Sequence, residues 1–300
     1  MSAPAAAPSR PLVSIGVPAY NAERFIACAL DSLLGQTLTD LELIISDNGS
    51  TDGTREICEG YARRDPRVRY IRQAANIGAA ANWNVVAREA RGEFFKWASA
   101  SDTCEPTMLE HCVAELRADP GAVLCYGKTD LMDENGRSFE VYADDRAFVE
   151  ERPSERFLRV LELLKLNNAQ CGVFRLDVLR RTRLDRPYPT GDMALMAELA
   201  LYGTFRMLPE VLLHRRLSAE TFTSMRSPLE RERFNNPTAT APKTLVRTRR
   251  HLDHLRSIVR TPLPLGEKLR ALRIGLRLAR WDRVHMWREL RALLRRASPT

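Results

Sequence analysis

Residues 41–54 read LELIISDNGSTDGT, and this stretch is the clearest indication of the fold class. The opening LELII is mostly apolar and β-branched, which predicts a short buried strand. Residues 46–53 are rich in Ser, Asp, Asn and Gly, the residue types that form turns and cap helices. A helix is predicted next, with Ile57, Cys58 and Tyr61 on its apolar face. The stretch is therefore a strand, a polar loop and a helix, which is the repeating unit of an α/β sheet.

The same alternation extends to both sides of this stretch. Further strands are predicted over residues 12–17, 68–71 and 94–98, with helical patterns between them. Strict alternation of strand and helix indicates a parallel sheet with helices on both faces, and such sheets bind ligands beyond the carboxyl ends of their strands. The candidate site is formed by the loops after the four strands: residues 18–22, 46–53, 73–78 and 99–105.

The second half of the chain has a less regular pattern. Asn135-Gly136 indicates a hairpin turn between extended segments. Basic amphipathic helices, two or three in number, are predicted from Leu245 onward, with a break at Pro262 and Pro264. The remaining predictions are strands over residues 122–126 and 211–214 and helices over residues 154–166, 173–184 and 193–202.

The composition is that of a globular protein. Of 300 residues, 44% are hydrophobic and 28% are charged, which excludes collagen-like, mucin-like and wholly disordered chains. No run approaches the roughly 18 apolar residues of a membrane-spanning helix. Residues 1–10 lack the apolar segment of a signal peptide and are expected to form a flexible tail. The six cysteines contain no C-x-x-C pair, so we expect reduced thiols in a cytoplasmic protein.

Charge is distributed unevenly along the chain. The net charge is +8, but the segment from Lys243 to the end has 16 basic and 4 acidic residues, or +12, which leaves −4 for the rest. Such a tail suits nucleic acid, anionic lipid or an acidic partner, and it also suits a solvated helix face that binds nothing. No nucleic-acid recognition motif accompanies it. The open partners are therefore the inner face of a membrane, contacted peripherally, and a second copy in a homodimer.

Three motifs occur in the predicted loops: VPAYN at residues 17–21, ISDNGSTDGT at residues 45–54, and NIG at residues 76–78. In this order and spacing they resemble the N-terminal half of family 2 glycosyltransferases. The resemblance extends over residues 11–216. It implies the GT-A fold, an α/β Rossmann-like architecture with a mixed, mostly parallel sheet flanked by helices.

The resemblance also implies a domain organisation. A GT-A catalytic domain is expected over residues 11–225, with a nucleotide-binding half up to about residue 105 and an acceptor half from about residue 106. Residues 226–300 are then a C-terminal basic helical extension.

Nucleotide binding is the first role that the resemblance implies. Because a carboxylate only accepts hydrogen bonds, Asp47 at the end of a strand suits the imide N–H of uracil or thymine, which favours a UDP or dTDP donor. The same position also suits a turn or helix-capping residue. By resemblance, nucleotide binding is assigned to Pro18, Tyr20, Asn21, Asp47, Asn76, Gly78 and Ser101.

Members of the family usually have a D-x-D or D-D motif after the fourth strand, which holds a divalent cation on the diphosphate. Here only Asp102 keeps a carboxylate, and Ser101 stands where an acidic residue is common. Mn²⁺ and Mg²⁺ prefer oxygen ligands and accept waters, so one carboxylate with phosphate oxygens meets their needs. Asp102 is therefore the expected metal ligand, with His214 as a second candidate. The alternatives are a residue at a helix start for Asp102 and a structural role for His214.

An inverting transfer needs a carboxylate that takes the proton from the acceptor hydroxyl. By resemblance this catalytic base is Asp192, although Asp in the first turn of a helix is also favoured by the helix dipole. Glu198 is a weaker candidate. Arg215 and Arg216 follow the last predicted strand and are expected to bind the diphosphate, because guanidinium groups offer paired, planar donors.

The sequence thus predicts an inverting glycosyltransferase that moves a sugar from a nucleotide-diphosphate sugar to a hydroxyl of a glycan, a glycolipid or a glycosylated metabolite. Two alternatives stay open. One is a sugar-phosphate nucleotidyltransferase on the same fold. The other is a catalytically degenerate GT-A domain that acts as a binding or scaffold module, which Ser101 keeps open.

Overall fold

The computed structural model describes residues 10–218, 227–241 and 245–297, with side chains up to residue 293. The expected flexible tail lies, apart from Arg10, outside the described residues. A nine-stranded sheet runs through the described part of the chain. Its strands are β1 (Val13–Ala19), β2 (Leu41–Asp47), β3 (Val68–Arg72), β4 (Phe94–Trp97), β5 (Thr103–Cys104), β6 (Ala122–Met132), β7 (Ser138–Val141), β8 (Val173–Arg175) and β9 (Thr204–Arg216).

Helices flank this sheet, and those of the C-terminal part follow it. They are α1 (Ile26–Leu34), α2 (Thr54–Arg64), α3 (Ala79–Glu89), α4 (Met108–Ala118), α5 (Pro153–Leu163), α6 (Leu176–Arg181), α7 (Gly191–Ala200), α8 (Pro228–Asn235), α9 (Val246–Arg260), α10 (Leu265–Trp281) and α11 (Arg283–Ala297). A 3-10 helix occupies Asn168–Cys171. No helix among the described residues is both long and apolar enough to cross a membrane.

The strand order is β3-β2-β1-β4-β8-β6-β9-β5, with β7 paired to β6. The first four strands in the chain, β1 to β4, are mutually parallel, as predicted from the alternating pattern. Strand β8 is antiparallel to both β4 and β6, and β5 is antiparallel to β9, so the sheet is mixed. The parallel strands all end at one edge of the sheet, which gathers the polar loops there.

Strand β2 shows why its sequence has no polar alternation. Leu43 and Ile45 pack into the hydrophobic cluster on the α1, α2 and α4 face of the sheet. Ile44 points the opposite way, into the cluster that α3, α5 and α7 cover. Because successive side chains of a strand alternate between faces, a strand covered on both sides is apolar throughout.

Two sequence predictions need correction. Residues 173–184 are not one helix, since Val173 and Phe174 lie in β8, fully buried between β4 and β6, and helix α6 begins only at Leu176. Such a short apolar run cannot be assigned to helix or strand from its periodicity alone. The short strand predicted over residues 211–214 is the second half of the longer β9. The hairpin at Asn135-Gly136 is confirmed by the antiparallel pair of β6 and β7.

The C-terminal helices pack on the body of the fold. Helix α9 contacts α7 and α10, and α10 contacts α5. The Ser154 hydroxyl at the start of α5 donates a 2.7 Å hydrogen bond to Glu267 in α10. The predicted break at Pro262 and Pro264 is confirmed, because it separates α9 from α10.

Candidate active site

The loops that follow β2 and β3 are hydrogen-bonded to each other. Asn48 Nδ2 donates to Asn76 Oδ1 (2.9 Å), and the backbone N–H of Ile77 donates to Asn48 Oδ1 (2.9 Å). Asn76 Oδ1 also accepts from the backbone N–H of Gly78 (2.9 Å). Both loops therefore form one surface at the carboxyl edge of the sheet.

The loop after β1 joins the same surface through Asn21. Its backbone N–H donates to Ser50 Oγ (3.0 Å), and its Oδ1 accepts from the backbone N–H of Thr51 (2.9 Å). Asn21 has a φ of 47°, a left-handed conformation that Asn tolerates better than most residues. Tyr20 beside it is 47% exposed, whereas Pro18 is buried within β1. The structure thus brings together five of the seven predicted nucleotide contacts: Pro18, Tyr20, Asn21, Asp47 and Asn76.

Asp47 is fully buried at the end of β2, and both of its oxygens are engaged. Oδ1 accepts from the backbone N–H of Ser50 (2.9 Å), and Oδ2 accepts from the Tyr70 hydroxyl (2.8 Å). Burial, followed by the hydrogen bond to Asp47, raises the pKa of Tyr70 well above its ordinary value. The turn role of Asp47 is therefore present, and a nucleobase reaches this carboxylate only when a neighbouring side chain turns aside.

Gly78 has a different neighbour from the one predicted. Its φ is +87°, and a Cβ built on it would lie 2.1 Å from the carbonyl oxygen of Asn235 in α8. Asn235 Oδ1 also accepts from the backbone N–H of Ala80 (3.3 Å). The close approach that glycine permits here is made by the chain's own helix α8, and the nucleotide contact of Gly78 stays a prediction.

Asp102 and Ser101 lie beyond β4, next to the end of β9. Asp102 is 8% exposed. Its Oδ1 accepts from the backbone N–H of Arg216 (3.0 Å) and from the Ser101 hydroxyl (3.2 Å). Burial raises the pKa of Asp102, and the positive charge of Arg215 is the largest of the opposing influences. The position is therefore a buried carboxyl beside a cation.

The two arginines at the end of β9 differ in what their guanidinium groups contact. Arg216 donates to backbone carbonyls of Ser101 (3.1 Å), Asp133 (3.1 Å) and Glu134 (2.9 Å) and stacks over a phenylalanine ring. These contacts occupy the guanidinium in holding the fold, so the predicted phosphate role of Arg216 is not supported. Among the described residues, the Arg215 side chain forms one hydrogen bond, from Nη1 to Asn168 Oδ1 (2.7 Å), which leaves further donors for a phosphate.

The imidazole of His214 lies between two carboxylates. Nδ1 is 3.1 Å from Asp130 Oδ2, and Nε2 is 2.8 Å from Glu105 Oε1. Burial by itself lowers the pKa of His214, but the hydrogen bonds to Asp130 and Glu105 outweigh it and raise the pKa. Both ring nitrogens are thus paired with carboxylates, which favours the structural alternative for His214, and its role as a metal ligand stays a prediction.

Asp102 has one carboxylate oxygen that is open to a divalent cation. Its Oδ2 has no hydrogen-bond partner in the described part of the chain, whereas Oδ1 is used by Arg216 and Ser101. No group of three or more His, Cys, Asp or Glu side chains among the described residues is arranged to hold a metal. One carboxylate oxygen fits Mg²⁺ or Mn²⁺ when substrate phosphates and waters complete the shell. The residues therefore fit a cation that arrives with the nucleotide.

Asp192 is the second residue of α7, and its carboxylate is half-buried. Asn167 Nδ2 donates a 2.9 Å hydrogen bond to Asp192 Oδ2. The residue before the helix, Thr190, has a φ of 69°, a strained left-handed conformation for a β-branched residue. Strain of this kind persists only where surrounding contacts impose it, and here it turns the chain abruptly into α7.

A second carboxyl group, Asp185, lies beside Asp192. Its backbone N–H donates to Asn84 Oδ1 (3.0 Å), and Asn84 Nδ2 donates back to its carbonyl oxygen (2.9 Å). A Cβ on Gly191 would lie 2.8 Å from Asp185 Oδ1, so the carboxyl fills space that a side chain at position 191 would occupy. Burial, then the charge of Asp192, raises the pKa of Asp185 to about 8.

Sequence reasoning missed the amides that connect the two charged groups. Asn167 contacts Asp192, and its neighbour Asn168 contacts Arg215, whose charge acts on Asp102. Two adjacent amides at the end of an apolar helical pattern were the only sequence signal. Glu198 faces away, toward α9 and Arg183, which supports the lower rank given to it as a base.

The sequence matches the profile of the family described as Glycosyl transferase family 2 over residues 14–181, more than half of the chain. Chondroitin synthase from Escherichia coli is 29% identical over 234 residues, which are 74% of this chain and 31% of that protein. The chain therefore spans about a third of the length of this relative.

Two solved structures share the fold. S. aureus TarS 1–349, in complex with UDP-GlcNAc, superposes with a TM-score of 0.60 at 18% identity and covers 86% of this chain and 69% of that chain. Mannosyltransferase PcManGT from Pyrobaculum calidifontis, in complex with GDP-Man and Mn²⁺, superposes with a TM-score of 0.52 at 16% identity and covers 93% and 84%. The predicted GT-A fold is confirmed.

Proposed function

This chain belongs to glycosyl transferase family 2, and we propose that it is an inverting enzyme that transfers a sugar from a nucleoside-diphosphate sugar to an acceptor hydroxyl. Asp192 is the general base, and Arg215 and Asp102 lie where the diphosphate leaves. Family membership favours this reaction over nucleotidyl transfer and over a scaffold role. We also keep residues 11–225 as the catalytic domain and residues 226–300 as its extension.

The observation that carries the proposal is the polar connection between Asp192 and Asp102. Asn167 holds the Asp192 carboxylate, and Asn168 holds the Arg215 guanidinium. These two amides are adjacent in sequence, so a single turn of chain fixes the base relative to the cation. An inverting displacement needs such a geometry, with a base on one side of the anomeric carbon and charge stabilisation of the leaving group on the other.

The acceptor hydroxyl loses its proton to Asp192 as its oxygen attacks the anomeric carbon and the bond to the diphosphate breaks. Arg215 stabilises the negative charge that develops on the leaving diphosphate. A divalent cation held on Asp102 Oδ2 would neutralise the same charge as a Lewis acid when it is bound. Ser101 and Asp102 are joined by a hydrogen bond, so the proposed nucleotide contact and the proposed metal ligand are fixed together.

The donor that we propose is a uracil or thymine nucleotide sugar. Asp47 supplies the acceptor for an imide N–H once the Tyr70 hydroxyl turns aside, and Tyr20 offers an exposed ring on which the base lies. The UDP-GlcNAc complex of TarS supports a uridine donor, and the GDP-Man complex of PcManGT makes guanosine its rival. The proposed acceptor is a hydroxyl of a glycan, a lipid-linked saccharide or a glycosylated small molecule.

The test compares the native protein with Asp192→Asn across a panel of UDP-, dTDP- and GDP-sugars, with and without Mn²⁺. The native protein is expected to release the nucleoside diphosphate, and the variant is expected to lose about 1,000-fold in turnover, since general bases contribute about 100- to 10,000-fold. Donor affinity, measured by calorimetry, should change less than about twofold, because the base acts only in the transition state.

Glu198→Gln is the matched control, since it removes a carboxylate from the same helix on the side that faces α9. Turnover of this variant should stay close to that of the native protein. Pyrophosphate as the released product, or Asp192→Asn with native turnover, would overturn the proposal.

A further inference from the structure

Helix α10 has an apolar stripe that faces away from the body of the protein. Leu265 is 73% exposed, Leu269 is 46% exposed and Leu276 is 58% exposed. The spacing places the three on one side of the helix. The other side is packed, since Ala271 and Gly275 are buried. The three leucines therefore stay exposed although α10 is packed on the body of the protein.

The next stretch of chain continues the pattern with tryptophans. Trp281 is 65% exposed, Val284 is 50% exposed and Trp287 is 62% exposed. The guanidinium of Arg277 lies over the Trp281 ring, 5.3 Å from its centroid. Tryptophan has a large apolar ring with one polar N–H group. With a cation beside it, this side chain suits the boundary between water and lipid.

The acidic side chains of α10 and α11, and the aspartate between the helices, all turn inward. Each accepts a hydrogen bond from another helix of the protein, so the three carboxylates lie on the inner side of the segment. The contacts are Glu267 with the Ser154 hydroxyl (2.7 Å), Asp282 with His251 Nε2 (2.9 Å) and Glu289 with the Thr248 hydroxyl (3.0 Å).

The arginines of the same segment turn outward. Six of them are exposed, and within the described part of the chain none forms an ion pair: Arg273, Arg277, Arg280, Arg283, Arg288 and Arg291. In α10 and α11 the acidic side chains therefore lie on the inner side, and arginines, leucines and tryptophans lie on the outer side. We call this outer side the basic face of α10 and α11.

We propose that the basic face of α10 and α11 binds the surface of an anionic lipid bilayer. The leucines and tryptophans enter the headgroup region, and the arginines pair with lipid phosphates. Helices that lie in the plane of a bilayer combine these two features, and the lengths of 17 and 15 residues suit this arrangement.

Charge favours lipid over a second copy of the chain. A two-fold dimer through this face would bring the six arginines of one copy against the same six of the other, and the acids that could neutralise them are engaged inside. Nucleic acid would meet the arginines but leave the leucines and tryptophans in water. A lipid surface satisfies both sets of side chains.

The test uses the full chain and sedimentable vesicles of phosphatidylcholine, with and without phosphatidylglycerol. Binding is expected to the vesicles that contain phosphatidylglycerol and to weaken with salt. Tryptophan emission should shift to the blue on binding, because Trp281 and Trp287 leave water. The triple variant Arg273→Glu, Arg277→Glu, Arg280→Glu should bind at least about 100-fold more weakly, because the loss of each arginine near the surface weakens binding roughly fivefold.

The matched control reverses three exposed arginines on the body of the fold: Arg63→Glu, Arg88→Glu and Arg117→Glu. It has the same net charge as the first variant and is expected to keep binding within about threefold, since distant exposed charges are screened. An equal loss in both variants would reduce the effect to net charge and overturn the proposal. The proposal would also be overturned if the protein failed to bind vesicles and light scattering showed a dimer instead. The triple variant Leu265→Ser, Leu269→Ser, Leu276→Ser would then dissociate that dimer.

Discussion

The carboxyl edge of the sheet contains two regions that hold their polar groups in opposite ways. The nucleotide loops, residues 18–22, 46–53 and 73–78, are tied mainly by amides, hydroxyls and backbone groups from neighbouring strands. The transfer region, formed by Asp102, Asn167, Asn168, Asp192 and Arg215, combines carboxylates, amides and a guanidinium from widely separated segments.

This difference separates the residues that we expect to bind the donor from those that we expect to carry out the transfer. Neutral hydrogen bonds between neighbouring loops give a surface whose shape is fixed before a ligand arrives. Carboxyl groups enclosed by protein have shifted pKa values, as do Asp102 of the transfer region and Asp185, which lies beside Asp192 of that region, and such groups are typical of catalytic positions. Substitutions in the transfer region should therefore change rates, and substitutions in the nucleotide loops should change affinity.

Among the variants that test the difference between the transfer region and the nucleotide loops, Arg215→Ala should have the largest effect. It removes the cation beside Asp102 and should lower turnover by about 100-fold or more, as loss of one preorganised charge on a leaving group does. The melting temperature should stay near that of the native protein, because within the described part of the chain the Arg215 side chain is hydrogen-bonded only to Asn168. Steady-state kinetics and thermal unfolding measure the two.

Arg216→Ala is its control, with the opposite expectation. The Arg216 guanidinium serves three buried or half-buried carbonyl groups, so its loss should lower the free energy of unfolding by about 3 kcal/mol. If Arg215→Ala unfolds the protein and Arg216→Ala only slows turnover, the assignment of the two arginines is reversed.

The sequence predicts the nucleotide loops well, for a topological reason. Asn21, Asp47 and Asn76 each follow a strand of a parallel sheet, and parallel strands end at one edge, so their proximity needs no further information. Asn235 is the exception. It reaches Gly78 from more than 150 residues away, and no local pattern announces such a contact.

The transfer region could be predicted only in part. Asp192 follows from its place in the family motif, but Asn167 is 25 residues before it, in a segment with no motif. Asp185 meets Asn84 across 101 residues, and Gly191 gives no hint that its missing side chain makes room for a carboxyl. Contacts of this kind depend on tertiary packing, which hydrophobic periodicity does not encode.

Asp47→Ala is expected to weaken UDP binding by about tenfold or more while the fold stays intact, because it removes an ionised acceptor. Calorimetry with UDP measures the affinity. Tyr70→Phe is the control, since it deletes the same 2.8 Å hydrogen bond and keeps the carboxylate. Tyr70→Phe should bind UDP at least as tightly as the native protein. An equal loss in both variants would mean that loop structure, and not base recognition, accounts for the effect.

Asp185→Asn should change how stability depends on pH. The pKa of Asp185 is raised from 3.8 to about 8, so between these values the folded protein keeps a proton that the unfolded chain has lost. Stability of the native protein therefore falls as pH rises through this window. The variant should gain about 1 kcal/mol or more over the native protein at pH near 8.5 and less near pH 5, as seen by denaturant unfolding.

Asp177→Asn, an exposed carboxylate in α6, provides the comparison for Asp185→Asn. Its difference from the native protein should be about the same at both pH values. If the difference in unfolding free energy for Asp185→Asn did not depend on pH, this would contradict the interaction of Asp185 with Asp192. The transfer region would then be less distinct from the nucleotide loops than we infer.

His214→Gln should have the smallest effect, and it tests the boundary of the transfer region. Because Asp130 and Glu105 raise the pKa of His214, the charged imidazole contributes stability that is present below pH 6.5 and is lost as pH rises through the raised value. The variant should therefore be less stable by about 1 kcal/mol at pH 6 and nearly equal to the native protein at pH 9. Mn²⁺ binding in the presence of UDP should be unchanged, because both ring nitrogens are paired with carboxylates. Loss of Mn²⁺ binding in His214→Gln, with the native pH profile retained, would instead make His214 a ligand beside Asp102 and add it to the transfer region.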